Sequence, residues 1–411
     1  MSVSARLSLL ALLIVLPAVA ADWPRFRGPN GTGVVEGSVP TQFDLKTDVA
    51  WKAKLPGVGN GSPIVVGARV CLQAATEDGS GRMIVCLSAK DGSEVWTYTA
   101  AGKAAKTHAK NSLASGTPCS DGERVYAAFW DGSAISLHAV DMGGKKVWAV
   151  PVGPFKSQHG AGHSPIVVNG VVVFNYDQDG GAELLAFDAK SGERKWAVKR
   201  PPHRACYSTP FVREVGGKTE LVVATTTAID GYDPVTGKAN WSHPVAWENP
   251  AKKLRTIAQP VLAGDQVVMT TGDGDGSRYM LAVAADGDHR RTWELKKGLP
   301  YVPGPLVSGD YLYWVGDDGQ AGCADIKTGA VKWSERVLAT GVSSSPILVG
   351  DTILAFAEDG KAVAFDASPK GPGDGKKSNL GEPVFASPAA ADGKLYVRGG
   401  THLFCIRKKG A

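Results

Sequence analysis

The sequence predicts an all-β protein: an eight-bladed β-propeller of four-stranded antiparallel blades whose ring is closed by an N-terminal strand. Three observations predict it. The first is a phrase written three times, "AFDAKSGERKW" at 186–196, "GYDPVTGKANW" at 231–241 and "CADIKTGAVKW" at 323–333. Each places a small residue, Asp two later, Gly four after that, and Trp four after the Gly. The second is a run of eight pairs ending in Pro: Ser62-Pro63, Thr117-Pro118, Ser164-Pro165, Thr209-Pro210, Gln259-Pro260, Gly304-Pro305, Ser345-Pro346 and Ser387-Pro388. Successive prolines lie 41 to 55 residues apart, the length of a four-stranded propeller blade. The third is that the ends complement each other. The eighth unit stops at Ala411 before a Trp can follow, while Trp51 stands ahead of Pro63 with no unit before it.

In chain order, residues 1–20 read as a secretory signal. Arg6 precedes the apolar run Leu7 to Leu16, and Ala18 and Ala20 form an Ala-x-Ala cleavage site. The run is shorter than the ~20 apolar residues that span a bilayer, and no Cys adjoins the cleavage point to take a lipid. An exported mature protein with no transmembrane segment is expected, periplasmic or extracellular and monomeric. Residues 21–47 form a leader, and 48–408 the propeller. Short Val- and Tyr-rich runs such as "GVVVFNY", separated by Asp-Gly and Ser-Gly turns, read as strands.

Within the phrase, Asp and Gly suit a turn, and the Trp falls on the following strand. Nothing in it is a nucleophile or a ligand cage, so its repetition marks architecture. Trp51, Trp96, Trp148, Trp196, Trp241, Trp293 and Trp333 are expected to dock blade on blade. Around "DVAWKAKL", the N-terminal strand is expected to complete the last blade. Of the six cysteines, Cys86, Cys323 and Cys405 occupy the small-residue position of the repeat and read as buried apolar residues. Cys71 and Cys86 flank one turn on neighbouring strands, which leaves a cross-strand disulfide open. The formal charge of +5 is mild, and the basic residues do not cluster, which excludes a nucleic-acid partner.

The phrase resembles the tryptophan-docking motif of eight-bladed quinoprotein-type, PQQ-like propellers. The resemblance covers about residues 48–408. It weakens in the fifth unit, "LAVAADGDHRRTW", and the seventh, "AFDASPKGPGDGKKSNL", has no Trp. The opening "DWPRFRGPNGTG" and "THAKNSLASGTP" resemble exported planctomycete-type members of that family. The family includes pyrroloquinoline-quinone (PQQ) dehydrogenases and the cofactor-free propeller lipoprotein of the outer-membrane β-barrel assembly machinery.

The resemblance implies for a dehydrogenase a Ca²⁺ ion on Glu and Asn, a catalytic Asp, and a disulfide of adjacent cysteines. The segments entering the blades, expected to line the channel, contain no Asp or Glu, and there is no Cys-Cys pair. The expectation is therefore a non-catalytic binding or scaffolding module without a cofactor, presented to a protein or other envelope ligand. The alternative is a PQQ-dependent alcohol or sugar dehydrogenase holding PQQ with Ca²⁺. "TTGDGDGSR" mimics the start of a calcium loop, but Ala284 stands where the bidentate Glu belongs, so it reads as a hairpin turn. The entering segments place Asn60, Lys110, Asn111, His159, His163, His203, Arg204, Tyr207, Arg255 and Tyr301 at one mouth. Their positive balance without acids is expected to attract an anionic group.

Overall fold

The computed structural model describes residues 22–201, 203–247 and 254–408. The expected signal segment lies outside them. Eight antiparallel sheets follow one another around a central channel. Blade three shows the plan, with strands Ile166–Val168, Val171–Gln178, Gly181–Asp188 and Arg194–Lys199 running from the channel outward. The short first strand buries Ile166 and half-buries Val167 and Val168, and the fourth carries only exposed and half-buried residues. An inner strand is covered on both faces by adjacent blades, whereas the outer one meets solvent.

Blade eight is built from both ends of the described residues. Ala389–Ala391, Lys394–Arg398 and His402–Ile406 supply three strands, and Val49–Lys54 pairs antiparallel with the last, Trp51 opposite Cys405. The open edge that a truncated eighth unit would leave is thereby paired.

The repeated phrase joins the third strand of a blade to its fourth. In blade three Asp188 accepts hydrogen bonds from the amides of Lys190 and Ser191 and from the Ser191 hydroxyl. Gly192 then turns the backbone at φ +75°, with its α-carbon against the Trp148 ring of the preceding blade, where a Cβ would come within 2.7 Å. The Trp148 indole donates to the Ala189 carbonyl at 3.0 Å. The same donation runs from Trp51 to Ala89, Trp96 to Met142, Trp196 to Pro234, Trp293 to Ile326 and Trp333 to Ser368. A register shift just before each Trp of blades one to three aims the ring at its neighbour.

Trp241 differs from the others in its indole bond. Its indole donates within its own blade to Glu220, and its ring stacks on His289 at 4.1 Å with Arg213 above. In the degenerate turn of blade five, His289 at φ +49° stands where the phrase glycine belongs and receives the ring.

Cys71 and Cys86 lie directly opposite on neighbouring strands and are thiols, and all six cysteines are buried. The hydrogen bond with the Cys86 thiol, then burial, raises the Cys71 pKa well above the ordinary range.

The leader is woven through the far end of the channel. Trp23 bridges Val65 of blade one, and the Pro24 carbonyl accepts from Ser120 of blade two. Asn30 exchanges hydrogen bonds with Val212 of blade four, and Gln259 of blade five donates to Asn30 and Gly31. Arg27 donates to Pro305 of blade six, and Val34–Val35 runs parallel to Ile347–Val349 of blade seven. Farther on, Phe43 stacks on Phe356, and its amide donates to Ser378 on the outer strand of the blade that lacks a Trp.

Candidate binding funnel

The Ser-Pro and Thr-Pro pairs have a common role. Pro immediately precedes each inner strand, where its missing N–H interrupts no ladder, and in five blades the amide of the residue before it donates to a hydroxyl of the next blade. Gly304 donates to the Ser345 hydroxyl, Ser345 to Ser387, Ser387 to Ser62, Ser62 to Thr117, and Thr117 to Ser164, at 2.9–3.2 Å. Five bonds thus link six consecutive blades in an arc around the channel.

Above this arc opens a funnel of about 450 Å³, within the range of small-ligand sites. Phe26 of the leader lies in its lining with Ile257 and Phe385, so the leader closes the end opposite the mouth. The entering segments and the turns between second and third strands form the walls.

Seven of the ten residues expected at the mouth line the funnel: Asn60, Lys110, Asn111, His159, Arg204, Tyr207 and Tyr301. Asn111 is held by the carbonyls of His159 and Ala161. Tyr207 shares a hydrogen bond with Ser157 and donates to Gly160, and burial pushes its phenol up to about 12. His159 meets His108 edge-on at 4.8 Å. Burial first, then the charges of Arg255, His108 and Arg204, hold its pKa at about 4.

The other three do not line it. His163 is buried beneath the wall among Phe155, Phe174 and Tyr207. His203 takes part in a backbone bridge with Asp179. Arg255 is 1% exposed, donating to Asp179 and the Ala205 carbonyl. Among the described residues, no three His, Cys, Asp or Glu side chains gather as a metal cage.

The expectation of a mouth without acids is corrected. Lys110 pairs with Glu358 at 2.7 Å, Arg204 with Asp273 at 3.2 Å, and Arg278 approaches Asp317 at 4.0 Å. None of these acids lies in an entering segment. They come from the turns after the second strands, "DGDGS", "DDG" and "EDG", which fold back beside the segments. These turns recur at one place in each unit, the signal that would have located them. "TTGDGDGSR" is such a hairpin turn, with Asp275 accepting from Ser277 and Asp273 facing Arg204. His108, Arg278 and Phe26 complete the set that sequence reasoning did not assign.

The family profile described as "Outer membrane protein assembly factor BamB" matches residues 41–154, 108–335 and 305–371. The Outer membrane protein assembly factor BamB of Bordetella pertussis is 27% identical over 384 residues, 88% of this chain and 87% of that protein. The BamB crystal structure from Moraxella catarrhalis superposes with a TM-score of 0.59 at 14% identity, over 90% of this chain and 96% of that one. The quinohemoprotein alcohol dehydrogenase of Comamonas testosteroni reaches 0.65 at 14% identity, over 95% and 81%. At such identities, structural likeness speaks for the fold alone.

Proposed function

The protein belongs to the BamB-type family of PQQ-like propellers, and from that premise we propose that it is a non-catalytic binding module of the cell envelope that holds a protein partner at its funnel during outer-membrane assembly. The observation that carries this reading is a relationship to an assembly factor over 88% of the chain combined with a funnel open at one mouth. Tyr207, Tyr301, Ile257 and Phe385 offer the apolar and aromatic surface that peptide segments use for affinity, while the ion pairs at the mouth fix orientation. In this reading the module works at the periplasmic side of the outer membrane.

The residues present do not fit a quinone–calcium centre. The lining carboxylates, Asp273 and Asp317, face Arg204 and Arg278, and Asp317 accepts the amides of Tyr301 and Val302 as well. A cation there would have to displace guanidinium partners, and no cysteine lies in the lining.

The test is a mouth-filling variant. Ser343 lines the funnel and donates to Glu358, so Ser343→Trp places a large ring in the opening. The expected result is an unchanged fold with loss of co-purifying outer-membrane assembly proteins. Retention of those proteins by the variant would exclude the funnel as the binding surface. A quinone absorption band after addition of PQQ and Ca²⁺ to the wild type would favour the dehydrogenase instead.

A further inference from the structure

We propose that the closed end of the funnel is a carboxylate-binding site, and that the carboxylate it takes from a protein partner is the free C-terminus of a polypeptide. Two features of the structure point to it, one in the lining and one in the wall behind it.

The first is a set of hydroxyl donors. Ser62, Thr117, Ser164, Ser345 and Ser387 all line the funnel, and each uses its oxygen to accept a backbone amide from the neighbouring blade. A hydroxyl carries one proton besides its lone pairs. Each oxygen already accepts one amide, and its proton has no acceptor among the described residues. Thr209, on the fourth blade, also lines the funnel, and its hydroxyl has no hydrogen bond among the described residues. Hydroxyl protons converging from several blades favour an acceptor-only group, which an ionised carboxylate is.

The second is uncompensated buried charge. Arg25, Arg27 and Arg398 are among the buried residues, and none has a carboxylate within ion-pair distance among the described residues. Each donates to a carbonyl next to the arc or within it: Arg25 to Pro210, Arg27 to Pro305 at 2.6 Å, Arg398 to Gly61 at 3.0 Å. Further guanidinium nitrogens of all three have no partner. Burial lowers their pKa values, to about 10 for Arg25 and about 9 for Arg27 and Arg398, which still leaves them charged at neutral pH.

The acids of the mouth, Glu358, Asp273 and Asp317, are each matched by a cation. The three arginines lie in the wall behind the lining rather than in it, and their unpaired charge makes the field around the closed end positive. In a partly enclosed site, such charges act with less screening than at a surface.

The body of the ligand follows from the walls. Phe26, Ile257, Phe385, Tyr207 and Tyr301 surround the route from the mouth, so the site suits an anionic tip on an apolar body. The leader blocks passage at Phe26, so an entering polypeptide must present an end. This peptide half rests on the reading of the funnel as a protein site, and the carboxylate half does not.

The test is calorimetric titration of the full-length protein in low-chloride buffer. The probes are sodium acetate, acetamide, inorganic phosphate, and an acetylated tripeptide ending in leucine as free acid or amide. Acetate should give saturable binding where acetamide gives none, and the free-acid peptide should bind about tenfold or more tightly than its amide. Thr209→Val, which deletes one lumen hydroxyl at nearly constant shape, should weaken acetate and free-acid binding about tenfold without moving Tm, and Thr209→Ser should restore both. Equal binding of acid and amide, silence of acetate, phosphate binding without acetate, or a wild-type affinity in Thr209→Val would each overturn the site. Acetate binding without peptide binding would keep the carboxylate site and remove the C-terminus reading.

Discussion

A tryptophan in this ring matters by what receives it. Trp196 packs on Gly237 of the next blade and donates to Pro234, so Trp196→Ala should cost about 3–5 kcal/mol, as for other large aromatic truncations. Trp241 also meets the next blade, stacking on His289, but its indole bonds Glu220 of its own blade rather than a carbonyl of the neighbour, so Trp241→Ala should cost somewhat less, and denaturant unfolding of the two variants checks the order. His163 gives a second prediction at this scale. Its burial holds the ring's folded pKa at about 4, against an unfolded value near 6.5. The unfolded protein therefore takes up a proton that the folded one refuses as pH falls from about 6.5 to about 4. Stability is full above that window and declines through it, by up to roughly 3 kcal/mol from this residue. His163→Gln should flatten that decline in melting temperatures measured between pH 7 and pH 4.5, and an unaltered slope would assign it elsewhere.

At the scale of elements, the N-terminal strand and the leader hold the ring. Deleting 45–56 removes the partner of His402–Ile406, so the variant should aggregate or melt well below wild type; an unchanged monomer would contradict closure. Gly31 sits at φ +69° with the Gln259 amide where a Cβ would go, so Gly31→Ala should lower Tm by loosening the floor of the funnel. Strands and closure were legible because Asp, Gly and Trp at fixed spacing encode a local turn and one neighbouring contact. The leader was not legible, because contacts such as Asn30 to Val212 and Arg27 to Pro305 reach across 182 and 278 residues, and no periodicity announces them. The acids of the mouth escaped for a related reason. Asp273 and Asp317 were visible in turns, but only the folding back of each blade brings a turn beside the entering segment of another. Arg255 was misplaced because a residue in an entering segment can point into the wall, and Asp179 draws it there.

At the scale of the whole molecule, the protein is a ring made rigid by blade-to-blade hydrogen bonds, closed at one end by its own leader and open at the other. The channel is thereby open from one face, and the open funnel, rather than the opposite face, is the surface proposed to meet the partner. Site-specific photocross-linking in cells separates the two faces. A benzophenone side chain at Gln158, in the funnel lining, is compared with one at Lys190, in the exposed turn of blade three at the opposite end. Cross-links to an outer-membrane assembly protein are expected from Gln158 and none from Lys190. Cross-links from Lys190 with none from Gln158 would place the partner on the opposite face and contradict the proposal.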